Sequence, residues 1–235
     1  MRTLVFDTGP LISLTLNNLL WIVESLHEKF DGDFYITPEV YKELIERPLA
    51  TKKYKFEALQ ILPLITRGII KVSQPDEYKD KTDKLLELAN SCLTAKGNHI
   101  RIVHMGEVEA MACALHLGAD TIVIDERTSR VLIESPALLK QQLERKLHTS
   151  VSVEEDNLKE LSKELSGLKV IRSFELVTVA YELGLLNMFA QEEERSVLPD
   201  IKKAVLEGVL WAVKLSGCSV KTDDIYSVLD SEDTG

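Results

Sequence analysis

Four acidic residues occupy positions where an α/β fold would bring side chains to one edge of a sheet. Asp7 follows the apolar run "LVF", and Asp125 follows the β-branched run "TIVI". Glu107 opens a helical pattern just before the second run, and Glu43 lies on a helical stretch after "YIT". Because ligands of open parallel sheets bind beyond the carboxyl ends of the strands, we expect the four carboxylates to meet in one pocket.

Such a cluster predicts a divalent cation. Crowded ionised carboxylates repel one another, so their pKa values rise unless a cation compensates the charge. Oxygen-only ligand sets are what Mg²⁺ and Mn²⁺ prefer. One or two such ions can generate a hydroxide nucleophile and stabilise the charge that develops in phosphodiester hydrolysis. The expected cofactor is therefore Mg²⁺ or Mn²⁺.

Each acid also has an ordinary structural explanation. Asp7, followed by Thr-Gly-Pro, is typical of an Asx-turn that closes a strand. Glu43 is typical of a solvated helical side chain, and Glu107 of a residue that complements the helix macrodipole. Asp125 is placed to cap the next helix or to pair with Arg130. No single residue decides between these explanations and a shared site.

Strand-like and helical patterns alternate along the chain, which favours an α/β fold with a mainly parallel sheet. Thr37 and Pro38 are placed as the N-cap and first residue of a helix. Gly118 is placed to end the helix of "GEVEAMACALHL". The predicted strands are Thr3–Phe6, Phe34–Ile36, "GIIKV", Thr121–Ile124 and "GLKVI". The other predicted helices are Leu11–Leu20, Trp21–Phe30, Asp83–Leu93, one within "SVEEDNLKELSKEL", Phe174–Phe189 and Asp200–Ser216.

The segments "VFDTGPLISL", "ITPEVYKEL", "GEVEAMACALHLGAD" and "TIVIDERTSR", in this order, resemble the PIN domain nucleases. The resemblance implies a metal-dependent ribonuclease with a three-layer α/β/α fold. It also implies a role for Thr8 beside a ligand or phosphate and for Arg130 in bracing the last acid. The residues that match the four acidic motifs of the family are Asp7, Glu43, Glu107 and Asp125.

The sequence departs from the family pattern at three places. Glu126 stands where the family often has a second aspartate. Arg172 and Ser173 follow the closing strand, where a glycine-containing turn is usual. An apparent insertion lies between Val131 and Gly167. We therefore expect a single PIN-like domain over 1–220, with a motif core (1–133), a helical insertion (about 134–167) and a closing strand with C-terminal helices (168–220). Residues 221–235 are predicted to be an acidic, frayed tail.

Composition limits the location and the mode of binding. The net charge of −10 disfavours nucleic-acid binding through a general basic surface. A local basic patch, Arg47–Lys55, is the exception, and a solvated surface loop is its ordinary explanation. The three cysteines are scattered without metal-site spacing, as expected of free thiols in a reducing compartment. No apolar run is long enough for a membrane helix or a signal peptide, so we expect a cytoplasmic protein without membrane contact.

The leading hypothesis is an endoribonuclease, acting as the toxin of a toxin–antitoxin pair or in RNA processing. The expected partners are RNA, an antitoxin or other protein, and a second copy of the chain in a homodimer. The alternative is a catalytically weak PIN-like module that binds RNA or a protein. A haloacid-dehalogenase-type phosphatase is disfavoured, because the second acid that it needs two residues after Asp7 is Gly9 here. The five histidines show no zinc-binding spacing.

Overall fold

The fold is built on a parallel five-stranded sheet. A computed structural model describes residues 2–191 and 196–232 of the 235-residue chain. The strands of this sheet are β1 (Arg2–Phe6), β2 (Gly32–Ile36), β3 (Ile70–Val72), β6 (Thr121–Val123) and β8 (Lys169–Ile171). Their order is β3-β2-β1-β6-β8, and every pairing is parallel. The carboxyl ends of β1 and β6 are therefore neighbours at one edge.

Helices connect the strands and continue to the end of the described chain. They are α1 (Thr8–Leu16), α2 (Trp21–Phe30), α3 (Pro38–Tyr41), α4 (Arg47–Ala50), α5 (Lys55–Thr66), α6 (Lys79–Ser91), α7 (Met105–His116), α8 (Arg127–Glu134), α9 (Leu139–Leu147), α10 (Glu155–Glu164), α11 (Ser173–Glu182), α12 (Ile201–Leu215) and α13 (Thr222–Glu232). A π-helical turn, Lys42–Glu46, joins α3 to α4. Three 3₁₀ turns cover Pro75–Glu77, Pro136–Leu138 and Leu185–Phe189.

Two hydrophobic cores lie on opposite faces of the sheet. Alternate residues of β1 divide between them, because successive side chains of a strand point to opposite faces. Leu4 and Phe6 pack in one core with residues of α1, α2, α5, α11, α12 and α13. Val5 packs in the other with residues of α6, α7, α8, α9 and α10. The predicted three-layer α/β/α arrangement is confirmed.

The predictions of helix ends are confirmed where the sequence carries a clear capping residue. The Thr37 side chain accepts from the Val40 N–H, and Pro38 opens α3, as predicted. Gly118 has a φ of 64°, the left-handed conformation expected just after a helix.

The structure adds a second sheet that was not predicted, with β4 (Leu93–Ala95) between β5 (Asn98–His99) and β7 (Ser152–Val153). Helix α5 was also missed, because its start was assigned to the basic patch.

The insertion is folded against the rest of the domain. Its helix α10 packs along α6, and Glu164 accepts hydrogen bonds from Lys81 and Lys84 at 2.9 Å each. Its helix α9 buries Leu139 and Leu143 in the second core. The insertion therefore supplies one outer wall of the fold, over α6 and α8.

The predicted frayed tail is wrong for residues 222–232. They form α13, which packs on α12 and buries Ile225 and Leu229 in the first core. Burial of these two side chains stabilises the helix despite its acidic surface. Residues 233–235 lie outside the described part of the chain. Within the described residues, no helix is long and apolar enough to cross a membrane.

Candidate active site

Asp7 and Asp125 lie side by side at the carboxyl edge of the sheet. Asp7 follows β1 directly, and its N–H donates to the Val123 carbonyl oxygen at 2.9 Å. Gly9 separates the two acids. A Cβ built on it would lie 3.4 Å from the Asp125 Cβ and 3.7 Å from the Asp7 Oδ2. These are ordinary contact distances, and they place Gly9 directly against both acidic side chains.

Asp7 is buried and electrostatically strained. Its side chain caps α1 by accepting a hydrogen bond from the Gly9 N–H at 3.5 Å. The local structural role expected of Asp7 is therefore present, and it is compatible with a role in the site. Burial raises the pKa of Asp7 to about 7, and the negative charge of Glu107 adds to this rise. The charge of Glu43 contributes in the same direction. Two of the other predicted acids, Glu107 and Glu43, are therefore within electrostatic reach of Asp7.

Glu43 is fixed on the π-helical turn by two hydrogen bonds. The Thr8 hydroxyl donates to its Oε2 at 2.8 Å, and the Arg47 Nη1 donates to its Oε1 at 3.2 Å. Arg47 also pairs with Glu39, so this end of the predicted basic patch is neutralised by acids. A Cβ built on Gly106 would lie 3.6 Å from the Glu43 Oε2, which places the start of α7 against Glu43. π-helical turns are frequent at functional sites.

Glu107 lies in the first turn of α7. Its Oε2 accepts from the His104 N–H at 2.7 Å, as expected of an acid at a helix start. Burial raises its pKa, the His104 backbone opposes the rise, and the charge of Glu126 adds to it. The Ser129 hydroxyl lies near enough to favour the ionised carboxylate. That hydroxyl is fully buried, and it forms no hydrogen bond with any atom of residues 2–191 and 196–232.

Asp125 is held by Ser173, a residue that sequence reasoning noted only as a departure. The Ser173 N–H donates to its Oδ1 and the Ser173 hydroxyl to its Oδ2, both at 2.8 Å. Burial raises the pKa of Asp125, and the two Ser173 hydrogen bonds oppose that rise. The Cys218 thiol lies close enough to oppose the rise in the Asp125 pKa, and burial raises the pKa of the thiol itself to about 12. All three cysteines are free and buried.

Arg130 forms no hydrogen bond or ion pair with the Asp125 carboxylate, and the bracing role that the resemblance implies stays a prediction. Its Nη1 donates to the Ser219 carbonyl oxygen at 3.4 Å, and Arg172 donates to the same oxygen at 2.9 Å. The Ser219 N–H in turn donates to the Asp125 carbonyl oxygen at 3.0 Å. The two arginines therefore fix the C-terminal segment against the backbone of Asp125.

The donor set suits a hard cation, although its ligands are not fully gathered. Within the described ranges, no group of three or more Asp, Glu, His or Cys side chains is placed to hold one ion. The chemistry nevertheless fits: Asp7 and Asp125 are buried, burial raises the pKa values of Asp7, Glu107 and Asp125, and ionised carboxylates keep lone pairs for further ligands.

These features define a nuclease-type α/β/α fold with an acidic edge. A family model described as PIN domain matches residues 3–138, more than half of the chain. The chain belongs to the PIN domain family. PIN domains are generally nucleases and commonly bind nucleic acid. Neither a curated protein nor a solved structure matches this chain.

Proposed function

We propose that this protein is a metal-dependent endoribonuclease. The observation that carries the proposal is the placement of Asp7 and Asp125 at the ends of the neighbouring strands β1 and β6, on either side of Gly9. The charges of Glu107 and Glu43 lie close enough to add to the rise that burial causes in the Asp7 pKa. A structural cap would be more stable without those neighbouring charges. A divalent cation would instead favour the ionised form of all the acids.

Asp7, Glu43, Glu107 and Asp125 would hold the Mg²⁺ or Mn²⁺. When bound, the ion supplies an activated water and compensates charge on the phosphodiester. Ser173 orients the Asp125 carboxylate and favours its ionised form through two hydrogen bonds. Thr8 is a positioning residue for Glu43 in this proposal, rather than a direct ligand of phosphate.

The proposed biological setting follows from the family. The protein acts in the cytoplasm as the toxin of a toxin–antitoxin pair or as an RNA-processing nuclease. RNA is its substrate, an antitoxin or other protein is its regulator, and the chain forms a homodimer. These roles rest on family membership over residues 3–138 and on the acidic edge.

A catalytically weak module that binds RNA or a protein is the second candidate. One observation favours it. Both oxygens of Glu43 accept hydrogen bonds, from Thr8 and Arg47, and both oxygens of Asp125 accept from Ser173. In this alternative the acids stabilise the fold at the sheet edge, and substitution of Asp7 leaves RNA binding unchanged.

Cleavage of end-labelled single-stranded RNA with Mn²⁺ separates the two candidates. The enzyme proposal expects cleavage by the wild type and a loss of at least about tenfold in rate, or about 1.4 kcal/mol, in Asp7→Asn and Asp125→Asn. Asp120→Asn is the matched control, because Asp120 is exposed and precedes β6 at the opposite end from Asp125. Equal cleavage by all four proteins would indicate a contaminating nuclease and contradict the proposal.

A further inference from the structure

A basic groove opens beside the acidic edge, between α8 and α9. Its volume is about 590 Å³, within the range of about 300–1,000 Å³ that is usual for ligand clefts. Helix α8 contributes the wall nearer to Asp125, and α9 contributes the outer wall. The lining residues used below are Glu126, Arg127, Gln141, Gln142, Arg145 and Lys146.

The cations of this groove are not neutralised by the protein. Arg127, Arg145 and Lys146 are exposed, and none of them forms an ion pair or hydrogen bond with the residues that the structure describes. Lys81 and Lys84, on the neighbouring α6, are by contrast paired with Glu164. The chain has a net charge of −10, so three unpaired cations along one groove form a local positive surface that suits a polyanion.

Glu126 connects the groove to the acidic edge. It lines the groove, follows Asp125 directly in sequence and caps α8 by accepting from the Ser129 N–H at 2.7 Å. Its charge also reaches Glu107. A strand that lies in the groove would therefore run toward the four carboxylates.

The outer wall belongs to this chain's insertion rather than to the part that matches the family. The family match ends at residue 138, and α9 begins at Leu139. The Gln142 side chain donates to the Thr128 hydroxyl at 3.4 Å, and Leu139 and Leu143 are buried beneath the helix. These contacts hold Arg145 and Lys146 on a rigid element opposite Arg127.

We propose that this groove binds the phosphate backbone of single-stranded RNA beside the bond to be cleaved. The inference rests on the proposed function, because it assigns a substrate-binding surface to the carboxylate site. Arg127 and Arg145 provide guanidinium groups whose planar geometry matches phosphate oxygens, and Lys146 adds a point charge.

The test measures RNA affinity without cleavage. Anisotropy of a fluorescein-labelled single-stranded oligoribonucleotide is recorded in EDTA as a function of salt. Arg145→Ala with Lys146→Ala should lower the slope of log affinity against log salt by about 1.4, because each lost phosphate contact removes about 0.7 for single strands. Lys159→Ala with Lys163→Ala is the matched control, because it removes the same charge from exposed positions of α10 in the same insertion. An unchanged slope in the first pair overturns the inference.

Two further measurements separate this inference from the proposed function. Gln141→Glu places a negative charge in the groove and should weaken RNA binding without removing a cation. Hydrolysis of bis(4-nitrophenyl) phosphate with Mn²⁺ reports on the carboxylate site and should be equal in the wild type and the Lys159/Lys163 double variant, and lower in Asp7→Asn. If the wild type does not hydrolyse this substrate while the Arg145/Lys146 double variant still lowers the salt slope, the enzyme proposal is wrong and the RNA-binding inference is supported. If hydrolysis is normal while no variant changes RNA binding, the RNA-binding inference is wrong and the enzyme proposal is supported.

Discussion

Replacement of Asp7 by Asn should stabilise the metal-free protein above neutral pH. The pKa of this buried carboxyl is raised from 3.8 to about 7. Between those values the folded state binds more protons at this site than the unfolded state does. The free energy of unfolding therefore falls as pH rises through this window, and the loss is complete above about pH 7.

The size of the effect follows from the shift. At about 1.36 kcal/mol per pKa unit, it corresponds to about 4 kcal/mol, a large part of the usual 5–15 kcal/mol of total stability. Asn keeps a side-chain oxygen that accepts from the Gly9 N–H, so the cap of α1 survives. Removal of the Asp7 charge also relieves the repulsion felt by Glu107.

Urea unfolding of the wild type and Asp7→Asn at a series of pH values in EDTA measures this pH-dependent stabilisation. The difference in unfolding free energy, variant minus wild type, should grow by about 4 kcal/mol from about pH 4 to pH 8. Added Mn²⁺ should reduce that difference by stabilising only the wild type. A difference that does not change with pH would refute the argument that Asp7 carries uncompensated charge in the folded protein.

Three further substitutions test the surrounding structure. Ser173→Ala removes the 2.8 Å hydroxyl hydrogen bond to Asp125 and should cost about 1.5–3 kcal/mol in urea unfolding, with weaker Mn²⁺ binding. Arg47→Ala breaks only half-exposed ion pairs with Glu39 and Glu43, so we expect a change below about 1 kcal/mol by the same measurement. Leu210→Ala empties a fully buried position of α12 and should cost about 2–5 kcal/mol, seen as a lower melting temperature in calorimetry. A neutral Leu210 variant would show that the C-terminal helices are dispensable.

The acidic edge was predictable because its signals are local. Asp7 and Asp125 each follow a short apolar strand, and the edge at which parallel strands end is fixed by topology. The Glu43 helix was predictable from its Thr37–Pro38 start. The partners of these acids were not, because they come from distant parts of the chain. Ser173 lies 48 residues from Asp125.

Other features were missed for physical reasons that the structure makes plain. The strands β4, β5 and β7 read LTA, NH and SV, with at most one β-branched residue each, whereas the equally short β3, β6 and β8 have two or three. Arg47 was grouped with neighbouring lysines, although its position four residues after Glu43 is a standard helical ion-pair spacing. The helix α13 did carry a signal, since Ile225, Val228 and Leu229 recur at helical spacing in "TDDIYSVLDSE". The acidic composition of that segment obscured it.

Calorimetric titration with Mn²⁺ of the wild type, Asp7→Asn and Asp125→Asn tests whether the two aspartates share a metal site, and it requires no knowledge of the RNA. We expect saturable binding that weakens at least tenfold, or about 1.4 kcal/mol, in both variants and is unchanged in Asp120→Asn. Absence of wild-type binding at millimolar Mn²⁺, or equal affinity in all four proteins, would contradict a shared carboxylate metal site.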